Sequence, residues 1–194
     1  MGAEGWLMAR RVIVAGLVVA IAASVAGFPF EARGAHTWSG LLFIVWALAV
    51  FSAAGLLAVR TARAGHDVAA VGFAAVALYG LGTTLNSSLL ARGLVEASVG
   101  IQPGVWAMLA LGLALVGLGG RMSGWVRTVG LAAAAGHAIA ATAVLFGAGL
   151  PHTGAEASDW PSLLVAVSKL LLWATMVGWI LDLRRQLDYQ ESLT

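Results

Sequence analysis

The stretch LLVAVSKLLLWATM, residues 163–176, sets the only lysine of the chain, Lys169, in the middle of an apolar run. Extended to residues 162–182, that run is long enough to cross a hydrocarbon core of ~30 Å as a helix rising ~1.5 Å per residue. Five further runs of the same kind occupy residues 12–28, 38–59, 68–91, 103–120 and 125–149. The chain is 60% hydrophobic and 10% charged, with a mean hydropathy of +0.91. Soluble domains carry about 25% charged residues, so this is the composition of a chain solvated by lipid. The expected fold is an all-α integral membrane protein: a six-transmembrane-helix bundle with short loops, both termini cytoplasmic, forming a single transmembrane domain over residues 1–194.

The connections PFEARGAHT, RTARAGHD, RGLVEASVGIQP, GGRMSG and PHTGAEASDWP leave no stretch for a soluble domain. Barrel strands are a poor competitor, because the runs are too long and lack the alternation of lipid-facing and lumen-facing residues. Helix-end signals agree with the spans. Asp67 precedes the third, Pro103 suits the first turn of the fourth, and Ser158 or Asp159 can cap the sixth with Pro161 in its first turn. The opening RRVIVAGLVVAIAASVAG has the charge and small residues of a signal peptide, but it is expected to stay as the first span.

Orientation follows the arginines. With the amino terminus inside, Arg10, Arg11, Arg60, Arg63, Arg121, Arg127, Arg184 and Arg185 fall on the cytoplasmic side, and Arg33 and Arg92 fall outside. This predicts an N-in, C-in protein of the plasma or bacterial inner membrane. A net charge of +2 dispersed over span ends needs no nucleic acid as partner; lipids, further copies of the chain or other membrane subunits are the expected company. Trp6, Trp38, Trp106, Trp125 and Trp160 fall near span ends, as an aromatic belt requires. Cysteine is absent, which removes disulfides and thiol chemistry. In the fifth span Gly130, Ala134, His137, Ala141, Val144 and Ala148 share a broad small-residue side suited to close helix packing.

Polar residues away from the span ends are few. Tyr79, Thr83 and Asn86 recur at four and three residues and so share one face of the third helix, His137 sits mid-way along the fifth, and Lys169 is followed one turn later by Trp173. At ~1.5 Å per residue, Lys169 lies about 11 Å from the outer end of its span, Asn86 about 8 Å and His137 about 18 Å. A buried charge costs several kcal/mol, and a lysine stem of ~6 Å does not reach headgroups from that depth without water or a partner. These residues therefore outline an outward-facing polar cavity.

The expected function is a small polytopic membrane transporter or channel component whose cavity takes a small anionic or polar substrate. The residues assigned to binding are Lys169, Asn86, Thr83, Tyr79, His137 and Trp173. The alternative is an accessory or scaffold subunit of a larger membrane complex, redox-active or binding a lipid or cofactor. An intramembrane enzyme is a lesser alternative, because no carboxylate within a span is available to orient His137 as a base. The cofactor is unknown. Bis-histidine haem lacks a second mid-span histidine, and the lysine resembles that of the microbial rhodopsins at this single residue, without a seventh span or an acidic counter-ion inside a span. No metal is assigned; His36, His152, Glu31, Glu156 and Asp159 are suitable ligands at one end, but their spacing follows no metal motif.

Overall fold

The computed structural model describes residues 3–33, 36–92, 94–146 and 160–191. Within them the chain forms six α-helices and no strand: α1 (Ala3–Ala32), α2 (His36–Arg63), α3 (Asp67–Ala91), α4 (Val95–Gly119), α5 (Gly124–Leu145) and α6 (Trp160–Glu191). Each carries a segment long and apolar enough to cross a membrane: 8–30, 37–63, 67–89, 100–119, 124–145 and 163–185. Large apolar side chains such as Val18, Leu41, Val71, Leu111, Leu118 and Leu170 are exposed on the outer surface. A surface of that kind belongs in lipid, not water.

Every helix packs against the next in the chain, and α6 returns to α1, so the six close into a ring. The α5–α6 contact is sparser than those before it, and the α1–α6 seam is the most sparsely packed of all. Because the helices run alternately up and down, the start of α1, the end of α6 and the α2–α3 and α4–α5 turns lie at one end, the terminal end. The end of α1, the start of α2, the end of α3, the start of α4, the end of α5 and the start of α6 lie at the far end.

Helix boundaries depart from the sequence expectation where polar residues continue a helix. VEASVG, read as part of a loop, is the first turn and a half of α4, so Pro103 lies inside that helix instead of in its first turn. Its ring removes one backbone donor, a disturbance tolerated in membrane helices where neighbours re-satisfy the backbone. Trp106 is consequently a core residue, 7% exposed, and does not belong to the interfacial belt. α6 continues through DLRRQLDYQE beyond its apolar span. Trp38 and Trp125 are exposed near span ends, as the belt expectation requires. Asp67 is the first residue of α3, and Pro161 the second of α6. The expected caps Ser158 and Asp159 lie outside the described residues, as does Ala148.

The α2–α3 turn shows why ARAGHD stops a helix. Gly65 adopts φ +73°, its N–H bonds Ala62 O at 3.0 Å, and the His66 N–H bonds Thr61 O at 2.9 Å. That pattern is a Schellman closure, which satisfies the last carbonyls of α2 and needs a residue without a Cβ at the left-handed position.

Small residues hold the ring together. At the α3–α4 crossing a Cβ on Gly72 would stand 2.7 Å from the Val116 nitrogen, and one on Gly112 would stand 2.9 Å from the Gly72 carbonyl oxygen. In α5, Gly130, Ala134, His137 and Ala141 are all buried, with Val144 partly buried beyond them. Gly136 takes the Ser168 side chain of α6 directly against its backbone, and Gly130 meets Thr175. Ser168 and Thr175 return their hydroxyl hydrogens to Leu164 O and Leu171 O, at 2.7 and 2.8 Å, so both hydroxyl donors are met where they enter the seam.

At the terminal end, α6 caps α5. Asp182 accepts a 3.0 Å bond from the backbone N–H of Ser123, the N-cap of α5, and a second from the Ser123 hydroxyl. A carboxylate at a helix N-terminus is also favoured by the helix dipole. Asp182→Ala should therefore lower stability in detergent by about 1–3 kcal/mol, read from reversible unfolding, with Asp182→Asn intermediate.

Candidate functional site

The far half of the bundle gathers the polar and aromatic side chains. Lys169 reaches from α6 to aromatic rings on two other helices: its Nζ lies 4.5 Å from the ring centre of Phe28 in α1 and 5.7 Å from that of Phe43 in α2. α2 and α6 are not packed against each other, so Lys169, Phe28 and Phe43 meet beside α1, and all three side chains are partly buried. Ring faces attract a cation through their quadrupole, by about 2 kcal/mol or more where water is excluded. The cradle is built locally. Phe28 meets Phe43 edge to face at 6.0 Å and meets Trp173 at 5.7 Å, and Gly27 makes room for Phe43, whose ring would stand 3.0 Å from a Cβ there.

Trp173 has a different part. Its indole N–H donates to Ser24 Oγ at 3.2 Å, a hydrogen bond across the sparse α1–α6 seam. Trp173→Phe should open that seam at small cost, about 1 kcal/mol of stability, visible as faster hydrogen exchange in the facing turns of α1 and α6.

The α3 stripe is present and divided between two neighbours. Tyr79 is buried with its ring edge-to-face on Trp46 of α2, centroids 5.5 Å apart. The Thr83 hydroxyl lies beside that of Tyr79 without the geometry of a formed hydrogen bond. Asn86, also buried, donates from its amide to Gln102 Oε1 on α4. Thr84 and Ser88, which widen the polar end of α3, turn their hydroxyls back onto Gly80 O at 3.0 Å and Thr84 O at 2.7 Å.

His137 is 2% exposed, and its Nδ1 lies 2.8 Å from the Ala133 carbonyl one turn back. A carbonyl only accepts, so Nδ1 carries the hydrogen and Nε2 is the acceptor of the neutral ring. Thus Lys169 and Trp173 meet at Phe28, whereas His137 is engaged within α5 and Asn86 with α4.

Among the described residues no three His, Asp or Glu come together as a metal site would require. Of the suitable ligands, His152, Glu156 and Asp159 lie outside the described residues, and the side chains of His36 and Glu31 are likewise outside them. A separate open groove of about 490 Å³ runs between α4 and α5, lined by alanines with Leu111, Leu131 and Thr142. No family model, curated protein or solved structure matches the chain.

The geometry adds residues that the sequence did not single out. Phe28, Phe43 and Ser24 build the lysine's surroundings, and Gln102 holds Asn86. In sequence, phenylalanines and serines in an apolar run look the same whether they face lipid or the bundle axis.

Proposed function

We propose that the chain is a small polytopic membrane transporter, or a channel component, that admits a small anionic or polar substrate from the far end of the bundle. The observation that carries this reading is the placement of Lys169 within a membrane span, where its Nζ stands against the Phe28 ring and reaches a ring on a helix that α6 does not pack against. A positive charge kept inside a low-dielectric bundle lowers the energy of an entering anion, and the Thr83 and Tyr79 hydroxyls can replace part of its hydration shell. The cradle of ring faces serves this role well. It stabilises a cation within the bundle in a way that a packed hydrocarbon wall does not. Eight arginines at the terminal end against two at the other favour cytoplasmic termini, which makes the lysine side outward-facing in a plasma or bacterial inner membrane.

Purified protein in liposomes tests the reading with potassium salts of chloride, nitrate, formate and acetate, and with glycerol as a neutral solute. Lys169→Met should lower the flux of whichever anions cross by about tenfold or more, since each 1.4 kcal/mol of lost attraction is a factor of ten. Equal flux of every species in wild type and variant removes the assigned role.

A second reading, an accessory subunit of a larger membrane complex, is favoured by the α4–α5 groove, whose alanine lining permits close approach of a further helix. Native mass spectrometry from detergent separates the two: a stoichiometric foreign subunit supports the second reading, and a monomer or homo-oligomer supports autonomous transport.

A further inference from the structure

Two tryptophans outside the lysine cradle bury an indole N–H that has no hydrogen-bond acceptor among the described residues: Trp46 in α2, 6% exposed, and Trp179 in α6, 3% exposed. Trp173 provides the contrast, because its N–H is met by Ser24. An indole nitrogen donates and never accepts, and a buried donor left without an acceptor is unfavourable. These two groups therefore ask for the same kind of ligand, one that brings an acceptor.

Their placement relates them to Lys169. Phe43, which faces the ammonium, lies one helical turn from Trp46 on the same side of α2. Trp46 packs on Tyr79, and Trp179 packs edge-to-face on Phe73 at 5.1 Å. α3 and α6 do not otherwise pack together, so the Phe73–Trp179 pair spans the bundle axis. Phe73 and Tyr79 are six residues apart on α3, which separates the two tryptophan levels by ~9 Å, and Lys169 to Trp179 along α6 is ~15 Å. The ammonium, the first indole and the second indole thus follow one another from the far half towards the terminal end.

We infer that Trp46 and Trp179 continue the lysine site as a ladder of hydrogen-bond donors along the bundle axis, which selects a small hydrogen-bond-accepting anion over cations and neutral solutes. The Phe73–Trp179 pair closes the ladder on the terminal side in this conformation. The inference rests on the transport reading and sharpens it: a cation and neutral N–H donors favour an anion, while among the described residues no group of three His, Asp or Glu gathers to hold a metal cation.

Trp46→Phe and Trp179→Phe keep a ring against Tyr79 and Phe73 and delete the N–H. In nitrate-loaded proteoliposomes each should raise the half-saturating nitrate concentration about tenfold, with glycerol and potassium permeation unchanged. Protein labelled with ¹⁵N at the indoles supplies a readout independent of flux. The cross-peaks of Trp46 and Trp179, assigned by their loss in the two variants, should move downfield as nitrate is added, and the Trp173 peak should stay. If Lys169→Met abolishes nitrate flux while both tryptophan variants transport normally and their wild-type peaks do not move, the ladder is refuted and the lysine site stands. If wild-type liposomes pass no anion and no indole peak responds, both fall. Should one variant not fold, the peak assigned by the other variant still decides, with Trp173→Phe assigning the control peak.

Discussion

Gly72→Leu is expected to be the most destabilising single substitution in the ring. A Cβ at residue 72 would approach the Val116 nitrogen to 2.7 Å and the Gly112 carbonyl oxygen to 2.8 Å, and both are backbone atoms of α4. Neither can rotate aside. The helices must separate, and separation also removes the contact that Gly112 makes with Val76 and the Gly72 carbonyl from the other side. Overpacking a core costs about 1–3 kcal/mol when side chains can yield, so a backbone-on-backbone clash should reach the upper end or exceed it. Lipid offers no hydrophobic drive to hold two helices once their close van der Waals contact is lost. Unfolding in detergent, or dissociation by steric trapping, should show a loss of about 3 kcal/mol or more. Gly104→Leu on α4 and Gly55→Leu on α2 are the controls, because a Cβ at either meets nothing within 4 Å. Both controls should unfold near wild type. A Gly72→Leu protein as stable as they are would mean that α3 and α4 do not cross as described.

The contrast between these glycines shows what could be read in advance. That glycine and alanine fill the helices is visible in LALGLALVGLGG, and it implies close packing somewhere. Which glycine touches backbone and which faces open space depends on the rotation of each helix about its axis, and apolar residues surround the helices too evenly to mark it. The spans themselves were legible because length and apolarity suffice to define them. Their ends were less so: VEASVG and DLRRQLDYQE are polar enough to resemble loops, yet a helix can begin or continue in the interfacial region where water satisfies its side chains. The same asymmetry applies to the site. Lys169, His137, Tyr79, Thr83 and Asn86 announce themselves by residue type in an apolar run. The faces presented to the lysine by Phe28 and Phe43 do not, because an aromatic ring fits lipid and bundle interior equally. Trp46 and Trp179 were concealed for a related reason. Only the positions of their neighbours reveal that the indole N–H meets no acceptor among the described residues.

Lys169→Glu should have the largest effect on function, and it separates the role of charge sign from that of polarity. In the wild type a cation sits 4.5 Å from the centre of the Phe28 ring and 5.7 Å from that of Phe43, where the negative faces of the rings attract it. A carboxylate in the same recess meets those faces with the wrong sign. It also loses the favourable hydration of a surface acid, so the substitution should cost several kcal/mol in stability or drive uptake of a proton. If the chain transports an anion as proposed, the sign matters further. Lys169→Met removes an attraction, whereas an ionised glutamate adds a repulsion of comparable size, so anion flux should fall by about a hundredfold where the methionine variant loses about tenfold. Lys169→Arg keeps the charge and tests shape: its planar guanidinium can stack on Phe28, and it should retain most of the flux. The series is measured in liposomes at matched protein orientation, with glycerol permeation as the control for general leakiness. Glutamate and methionine variants that lose anion flux equally would show that the lysine acts through its shape or hydrogen bonds, and the electrostatic basis of the site would have to be abandoned.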